Sequence, residues 1–485
     1  MASPKTDILI IGGGVAGLSI ARELSRYEID VMLVEKEADV GWGQTKASYA
    51  ICHPGTRWAP GTLAQALIAR SNQILAQLID DLDIDFNRSG ELVLAFDDSE
   101  KAALEAMKAQ GEHISVEGLE ILSKEEIRRL EPGVNSSAIA ALHLPTAGVF
   151  NPFDLVFAFF ENAGENGVRI LTETAVTGIT TERGGFTIET DQEEIRATRV
   201  INAAGLHAEE IASMVGANDF RISYATKATC FLLDKTLAKS VHRIITGMAD
   251  LKSFTKFKLL MPTYGGNLLM YTPISAPARG IDDRALEEGI LDMTVKSVRS
   301  LVPELNLENN IITAFSGLSA RNDRNDFIIE ASPKVPTFIN VALPPPGITC
   351  SPMIGIRVAE ILKENGLELH KKRDFNPYRR RIQPPRDLSA LRIGELLKQD
   401  PGYGRVVCRC ENVTEGEIVD AVRRGASTLD GIKFRTRAGM GRCQGNYCTS
   451  RISRILARAL SQPVEHMTKK GPGSDLLLHE GVNWS

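Results

Sequence analysis

The sequence predicts an α/β fold: a parallel β-α-β core, interrupted by a mainly antiparallel β domain and followed by a small helical unit at the C-terminal end. Three observations carry this. Residues 7–11 and 30–34 are short, nearly continuous apolar runs, as parallel strands buried on both faces require. Between them a glycine-rich turn leads into Leu18, Ala21 and Leu24, which recur at helical spacing. After residue 405 a compact segment gathers Cys408, Cys410, Cys443 and Cys448.

Taken in order, the first β-α-β unit has the usual length of about 30 residues. Residues 60–130 read as helical with one polar face, marked by Leu63, Ala66, Leu67 and Arg70. Strands are expected at 168–171, 175–180, 186–189 and 200–202, and strand-rich stretches at 220–275 and 311–342, broken by Gly265-Gly266 and Pro344-Pro345-Pro346. This order implies a nucleotide-type domain built from about 1–80, 150–215 and 325–370, with an inserted domain at about 81–149 and 216–324. Residues 371–404, rich in Arg, Pro and Lys, read as a linker to a domain at 405–485. Within that domain Thr414-Glu-Gly-Glu417 is a capping box, Gly425 a helix stop, and Ile452, Ile455, Leu456 and Ala459 mark a last helix.

The length of 485 residues calls for two or three domains, and 43% hydrophobic with 24% charged residues describes a globular protein. A net charge of −5 gives no argument for a nucleic-acid partner, and Lys371-Lys372-Arg373 and Arg379-Arg380-Arg381 read as locally solvated clusters. No apolar run is long enough to span a membrane. The first strand begins by Asp7, which leaves no room for a signal peptide, so a cytoplasmic location is expected. Seven cysteines, an odd count with one tight cluster, point to metal binding plus free thiols, with Cys52, Cys230 and Cys350 as core thiols.

Gly12-Gly13-Gly14-Val15-Ala16-Gly17 fits G-x-G-x-x-G. Gly12 permits the tight turn, Gly14 lets backbone approach a pyrophosphate, and Gly17 lets helix and strand pack closely. The helix N-terminus then offers unpaired N–H groups to phosphate. Glu35 ends the second strand, where an acid accepts hydrogen bonds from ribose hydroxyls. Strand, glycines, helix and acid together make a Rossmann-like dinucleotide site. FAD is favoured over NAD because Val200-Ile-Asn-Ala-Ala-Gly205 resembles the second glycine-containing strand end of two-dinucleotide-type flavoproteins.

Further strings extend the likeness: Gln44-Thr-Lys-Ala-Ser48, Cys52-His53-Pro54-Gly55, Pro60-Gly-Thr-Leu63, Asn202-Ala-Ala-Gly205, Asp326-Phe-Ile-Ile-Glu330 and Pro346-Gly-Ile-Thr349. Through nearly its whole length the chain resembles the D-amino-acid-oxidase-like flavoproteins. It is closest to the branch of FAD-dependent glycerol-3-phosphate and L-2-hydroxyglutarate dehydrogenases. The resemblance implies that Thr45, Ser48 and His53 lie beside the flavin and that the Val176 amide meets the adenine. It also implies that Gly347, Ile348 and Thr349 open a helix whose dipole stabilises the reduced flavin.

The same resemblance implies a small anionic hydroxy substrate, with sn-glycerol 3-phosphate, oxidised to dihydroxyacetone phosphate, ahead of L-2-hydroxyglutarate or another hydroxy or amino acid. His53-Pro-Gly-Thr-Arg57-Trp58 is similar to the glycerol-3-phosphate dehydrogenase string whose arginine faces substrate. Arg321 stands two residues after Ser319, which holds the usual anchor position, and Tyr264 replaces a frequent histidine. An arginine pair suits phosphate and carboxylate alike. His53, with Tyr264 behind it, is the candidate base for the hydroxyl proton. Each arginine also reads as a surface or domain-bridging ion pair, and His53 as a structural contact to the flavin. A non-catalytic protein of electron transfer or scaffolding is the alternative from a different class.

Four cysteines as Cys408-Arg-Cys410 and Cys443-Gln-Gly-Asn-Tyr-Cys448 supply the ligands of a [2Fe–2S] cluster or of a zinc site. Arg405, Arg409, Arg435, Arg437 and Arg442 crowd them, as a net-negative cluster favours. The string is very similar to bacterioferritin-associated-ferredoxin-like domains fused to flavin dehydrogenases. That likeness implies a one-electron outlet to an external acceptor or partner redox subunit. A membrane-associated partner at the inner face of the membrane, and a homo- or hetero-oligomer, are both compatible with it.

Overall fold

A computed structural model describes residues 3–248, 257–274 and 278–477. The expected strand-rich stretch 220–275 therefore lies in part outside the described residues.

The first strand, Lys5–Ile11, is central in a mostly parallel sheet. Val31–Val34 pairs on one side (Ile8 opposite Val31) and Glu194–Asn202 on the other (Ile11 opposite Asn202), with Arg169–Leu171 and Phe338–Ala342 flanking them in parallel. The hairpin Val176–Glu182 and Gly185–Thr190 adds antiparallel strands to the outer half of Glu194–Asn202. Ile8, Leu9, Ile10 and Leu33 are fully buried, because both faces of this sheet are covered. Val15–Leu24 packs on Gly347–Glu364 so closely that a Cβ on Gly355 would meet the Ser19 carbonyl at 2.5 Å.

A second sheet runs in the order Ile311–Asn322, Ile222–Leu233, Leu268–Ile274, Leu259–Pro262, Ile244–Gly247, Glu91–Ala95, Ala140–Leu144 and Glu120–Ser123. It is antiparallel except where Ile244–Gly247 lies parallel to Glu91–Ala95. Here the structure corrects the helical reading of 60–130. Helices Leu63–Leu82, Asp98–His113 and Lys124–Leu130 alternate with the strands Phe86–Asn87, Glu91–Ala95 and Glu120–Ser123. Glu91–Ala95 is buried at all five residues, and the short apolar run 92–95 has no periodicity to separate strand from helix.

The stretch 371–404 is not uniformly solvated. Arg379 is buried, its guanidinium donating to Asp154 (2.8 Å) and Glu161 (2.8 Å), and Ala390–Gln399 is a helix capped by Ser389. The two carboxylates offset the cost of burying that charge. Beyond it, Thr414 and Glu417 close the capping box of helix Glu415–Arg423 and Gly425 follows at φ +95°. Leu429–Thr436 and Thr449–Leu460 complete the unit, the latter burying Ile452, Ile455, Leu456 and Ala457; Ala459 is exposed. No helix among the described residues is long and apolar enough to cross a membrane.

Candidate active site

A cavity of about 1070 Å³ opens between the two large sheets. Gly12, Gly14, Glu35, Thr45, Ser48, His53, Arg57, Val176, Gly205, Arg321, Gly347, Ile348 and Thr349 all line it. Gly17 sits just behind, where a Cβ would strike the Gly12 carbonyl at 2.0 Å. Gly12 needs its glycine twice over, with φ +107° and the Ala203 carbonyl 2.5 Å from where a Cβ would stand. At Gly14 the nearest atom to such a Cβ is Thr45 Oγ1 at 3.6 Å, so added bulk would project into the cavity. Helix Val15–Leu24 has no side-chain cap at Gly14; Thr45 Oγ1 accepts from the Val15 N–H at 3.2 Å. Glu35 accepts from the Gly13 N–H (2.6 Å) and the Glu37 N–H (2.9 Å), while burial raises its pKa and those bonds lower it.

His53 is buried at the other end of the cavity, beside the glycine-led helix. Its backbone N–H donates to Thr349 Oγ1 (3.2 Å), whose hydroxyl donates to the Ile51 carbonyl (3.0 Å). Its imidazole lies 5.0 Å from the Trp58 ring, and Nδ1 is buried without a hydrogen-bond partner. Burial, helped by the Arg57 charge and opposed by Glu91, pushes the imidazole down to about 3, so it is neutral at ordinary pH.

Arg57 does not stand free. Its Nη1 donates to Glu91 Oε2 at 3.0 Å, its Nη2 bonds Glu91 Oε1, and Thr246 Oγ1 ties into both partners at 3.1 and 2.8 Å. The domain-bridging reading of Arg57 is thus realised together with its place in the cavity wall. Arg321 lies on Ile311–Asn322, and Ser319 Oγ on the same strand is buried without a partner.

Tyr264 requires correction as a candidate base. It lies outside the cavity lining, in the turn before Leu268–Ile274, with the Arg437 guanidinium 5.2 Å from its ring. Packing against the C-terminal unit, invisible in local sequence, decides its place. Conversely, Tyr49 and Tyr271, with rings 5.0 Å apart, line the cavity unforeseen, while Gln44, which opens the flavin-side string, lines it with its Oε1 accepting from the Ala320 N–H at 3.1 Å. Tyr49 adjoins the expected flavin-side string, which is the available signal; Tyr271 and Glu91 have none.

The four clustered cysteines fall in two thiol pairs. Cys410 and Cys443 are 3.7 Å apart, and the neighbouring Cys448 thiol holds Cys408 down to about 6 while it is itself pushed up. Backbone N–H groups of Gly439, Glu411 and Cys410 also favour the Cys408 thiolate. Among the described residues no three ligating side chains converge on one point. The two-and-two arrangement is what two irons taking two thiolates each require, and the 3.7 Å contact equally suits two thiolates on one tetrahedral zinc. Cys52, Cys230 and Cys350 are buried thiols, and burial pushes Cys52 up to about 12.

Residues 7–361 match the family described as FAD dependent oxidoreductase. The chain belongs to that family. Residues 406–458 of this oxidoreductase match the BFD-like [2Fe-2S] binding domain, so its cofactors are FAD and a [2Fe–2S] cluster. It is 41% identical, over 97% of its length and 98% of the relative's, to a glycerol 3-phosphate dehydrogenase of Caloramator mitchellensis. It is 26% identical to an anaerobic glycerol-3-phosphate dehydrogenase subunit of Escherichia coli (strain K12), over 94% of this chain and 89% of that one. The solved structure of dithionite-reduced L-alpha-glycerophosphate oxidase from Mycoplasma pneumoniae with FAD bound superposes with a TM-score of 0.71 at 27% identity, covering 77% of this chain and 98% of that one.

The open space above Gly14, at a helix N-terminus whose cap residue carries no side chain, suits a pyrophosphate, and the cavity is roomy enough for a flavin dinucleotide.

Proposed function

We propose that this oxidoreductase is an FAD-dependent dehydrogenase of sn-glycerol 3-phosphate, forming dihydroxyacetone phosphate and delivering electrons through its C-terminal domain to an external acceptor. The observation that carries this reading is the match over 97% of the chain, both domains included, to a relative of that name. Bound FAD supplies the acceptor for hydride from the carbinol carbon, and a [2Fe–2S] centre on Cys408, Cys410, Cys443 and Cys448 supplies a one-electron outlet.

The chain's own residues do the rest. Gly12, Gly14 and Gly17 make room for the pyrophosphate, Glu35 takes ribose hydroxyls, and Thr45, Ser48, Val176 and Gly205 line the remaining flavin wall. The N-terminus of Gly347–Glu364 offers its unpaired N–H groups to negative charge on the reduced flavin, with Ile348 and Thr349 in its first turn. His53, in the cavity wall with its Nδ1 unpartnered, is the candidate base for the hydroxyl proton. Arg321 and Arg57 hold the anionic end of the substrate, and Glu91 fixes the Arg57 fork in place. The acceptor is an external electron carrier or a partner redox subunit, the protein is cytoplasmic, and any membrane contact is made through that partner.

Turnover with a dye acceptor, comparing sn-glycerol 3-phosphate with L-2-hydroxyglutarate, tests the assignment. Activity with the first alone is expected; activity with the second alone replaces it with the hydroxy-acid reading.

A further inference from the structure

The C-terminal unit is charged opposite to the rest of the chain. Residues 405–485 hold 13 lysines and arginines against 8 acids, a net +5, while the whole chain is −5, which leaves −10 for residues 1–404. Much of that positive charge is already committed. Arg405 and Arg458 pair with Glu415, Arg424 with Glu161, Arg435 with Asp39, and Arg437 with Glu411. Arg409, Arg451 and Arg454 are exposed and have no acidic partner among the described residues.

Arg409 and Arg451 lie within three residues of a cysteine in the chain, and Arg454 stands one turn further along the last helix. Arg409 lies between Cys408 and Cys410 of the cysteine centre. Helix Thr449–Leu460 starts at Cys448, buries Ile452, Ile455 and Leu456, and turns Arg451 and Arg454 outward on its opposite face. Cys408 and Cys448 are buried, but Cys410 is exposed and Cys443 partly so; one edge of the centre therefore faces solvent. Tyr447, next to Cys448, is 80% exposed, a large aromatic surface left uncovered beside that edge.

We propose that this edge is the docking surface for an acidic one-electron carrier protein. The proposal rests on the reading that electrons leave through the C-terminal domain. Oxidising a CH–OH group to C=O releases two electrons and two protons. A one-electron outlet passes the electrons on singly, so two carrier molecules are each reduced by one electron while the protons go to solvent. Arg451 and Arg454 bind carboxylates of the carrier by charge-assisted bonds, and Tyr447 supplies the desolvated centre of a small, transient contact. The −10 charge on the rest of the chain repels an acidic carrier elsewhere and so directs it to this edge. It also disfavours an extended polyanion, which would overrun a patch of this size.

The test uses the holoprotein, with the soluble haem domain of cytochrome b5 as an acidic carrier and cytochrome c as a basic one. Calorimetric titration of the oxidised proteins at low salt should show saturable binding of cytochrome b5. That binding should weaken about tenfold in an Arg451→Glu, Arg454→Glu double variant and about tenfold again on raising salt. Reduction of ferric cytochrome b5 by the pre-reduced variant should slow in parallel, while its cluster absorption and its flavin reduction by substrate stay at the parent values. Reducing the protein chemically keeps this test separate from the substrate assignment: a protein that ignores glycerol 3-phosphate still reports whether the edge docks the carrier. Equal binding by parent and double variant, or tighter binding of cytochrome c than of cytochrome b5 by the parent, overturns the proposal.

Discussion

Arg57 and Glu91 form a buried ion pair across the cavity wall, with Nη1 3.0 Å from Oε2 and Nη2 on Oε1. Arg57 follows the flavin-side string, whereas Glu91 opens a strand of the second sheet, so the pair joins the two halves of the site. An arginine held at both ends of its fork presents its remaining edge in a fixed direction, which a free side chain does not.

Breaking that pair from one side leaves a buried charge uncompensated. Glu91→Gln is expected to destabilise the protein by about 3–5 kcal/mol, whereas replacing both residues together (Arg57→Met, Glu91→Leu) costs much less. Urea unfolding of the three proteins checks this; a Glu91→Gln protein as stable as its parent contradicts the pair.

Gly14 and Gly17 separate binding from folding. Gly14→Val places its side chain in open cavity and should yield a folded protein without FAD. Gly17→Val meets the Gly12 carbonyl and should fail to fold. Flavin content and circular dichroism of the two variants read the difference, and full flavin in Gly14→Val speaks against the glycine cradle.

His53 sets an acid limit. Its folded pKa is depressed to about 3 from the ordinary histidine value of 6.5. Between those pH values the unfolded chain binds the extra proton, so stability falls as pH drops through that window and is fully retained above it. His53→Asn should therefore lose less stability than the parent between about pH 7 and pH 5. Identical pH slopes in denaturant titrations would show that His53 is not buried in its neutral form.

Cys443→Ser should remove the visible absorption of the [2Fe–2S] cluster, since one thiol of the Cys410–Cys443 pair is lost. Zinc without iron or sulfide in the anaerobically prepared parent contradicts the two-and-two assignment.

Local chemistry is legible in the sequence. Gly12, Gly14, Gly17 and Glu35 fall within one β-α-β unit, and the capping box at Thr414 and Glu417 spans a single helical turn, so spacing alone places them. Glu91 escapes such a reading because five consecutive buried residues carry no period. Local pattern misplaces Tyr264 because its neighbour Arg437 is far away in the chain. It leaves Arg379 solvated because the partners Asp154 and Glu161 lie on the distant helix Pro152–Glu165. Contacts across the chain decide such residues.

The most direct measurement is anaerobic mixing of the FAD-loaded protein with sn-glycerol 3-phosphate, following the flavin's visible absorption. Bleaching in a single turnover is predicted, both in the parent and in Cys443→Ser, because the proposed site of hydride removal is the cavity lined by His53 and Arg57, not the cysteine centre. A flavin that stays oxidised in the parent contradicts the proposed activity, and bleaching confined to the parent contradicts the separation of hydride removal from the cysteine centre.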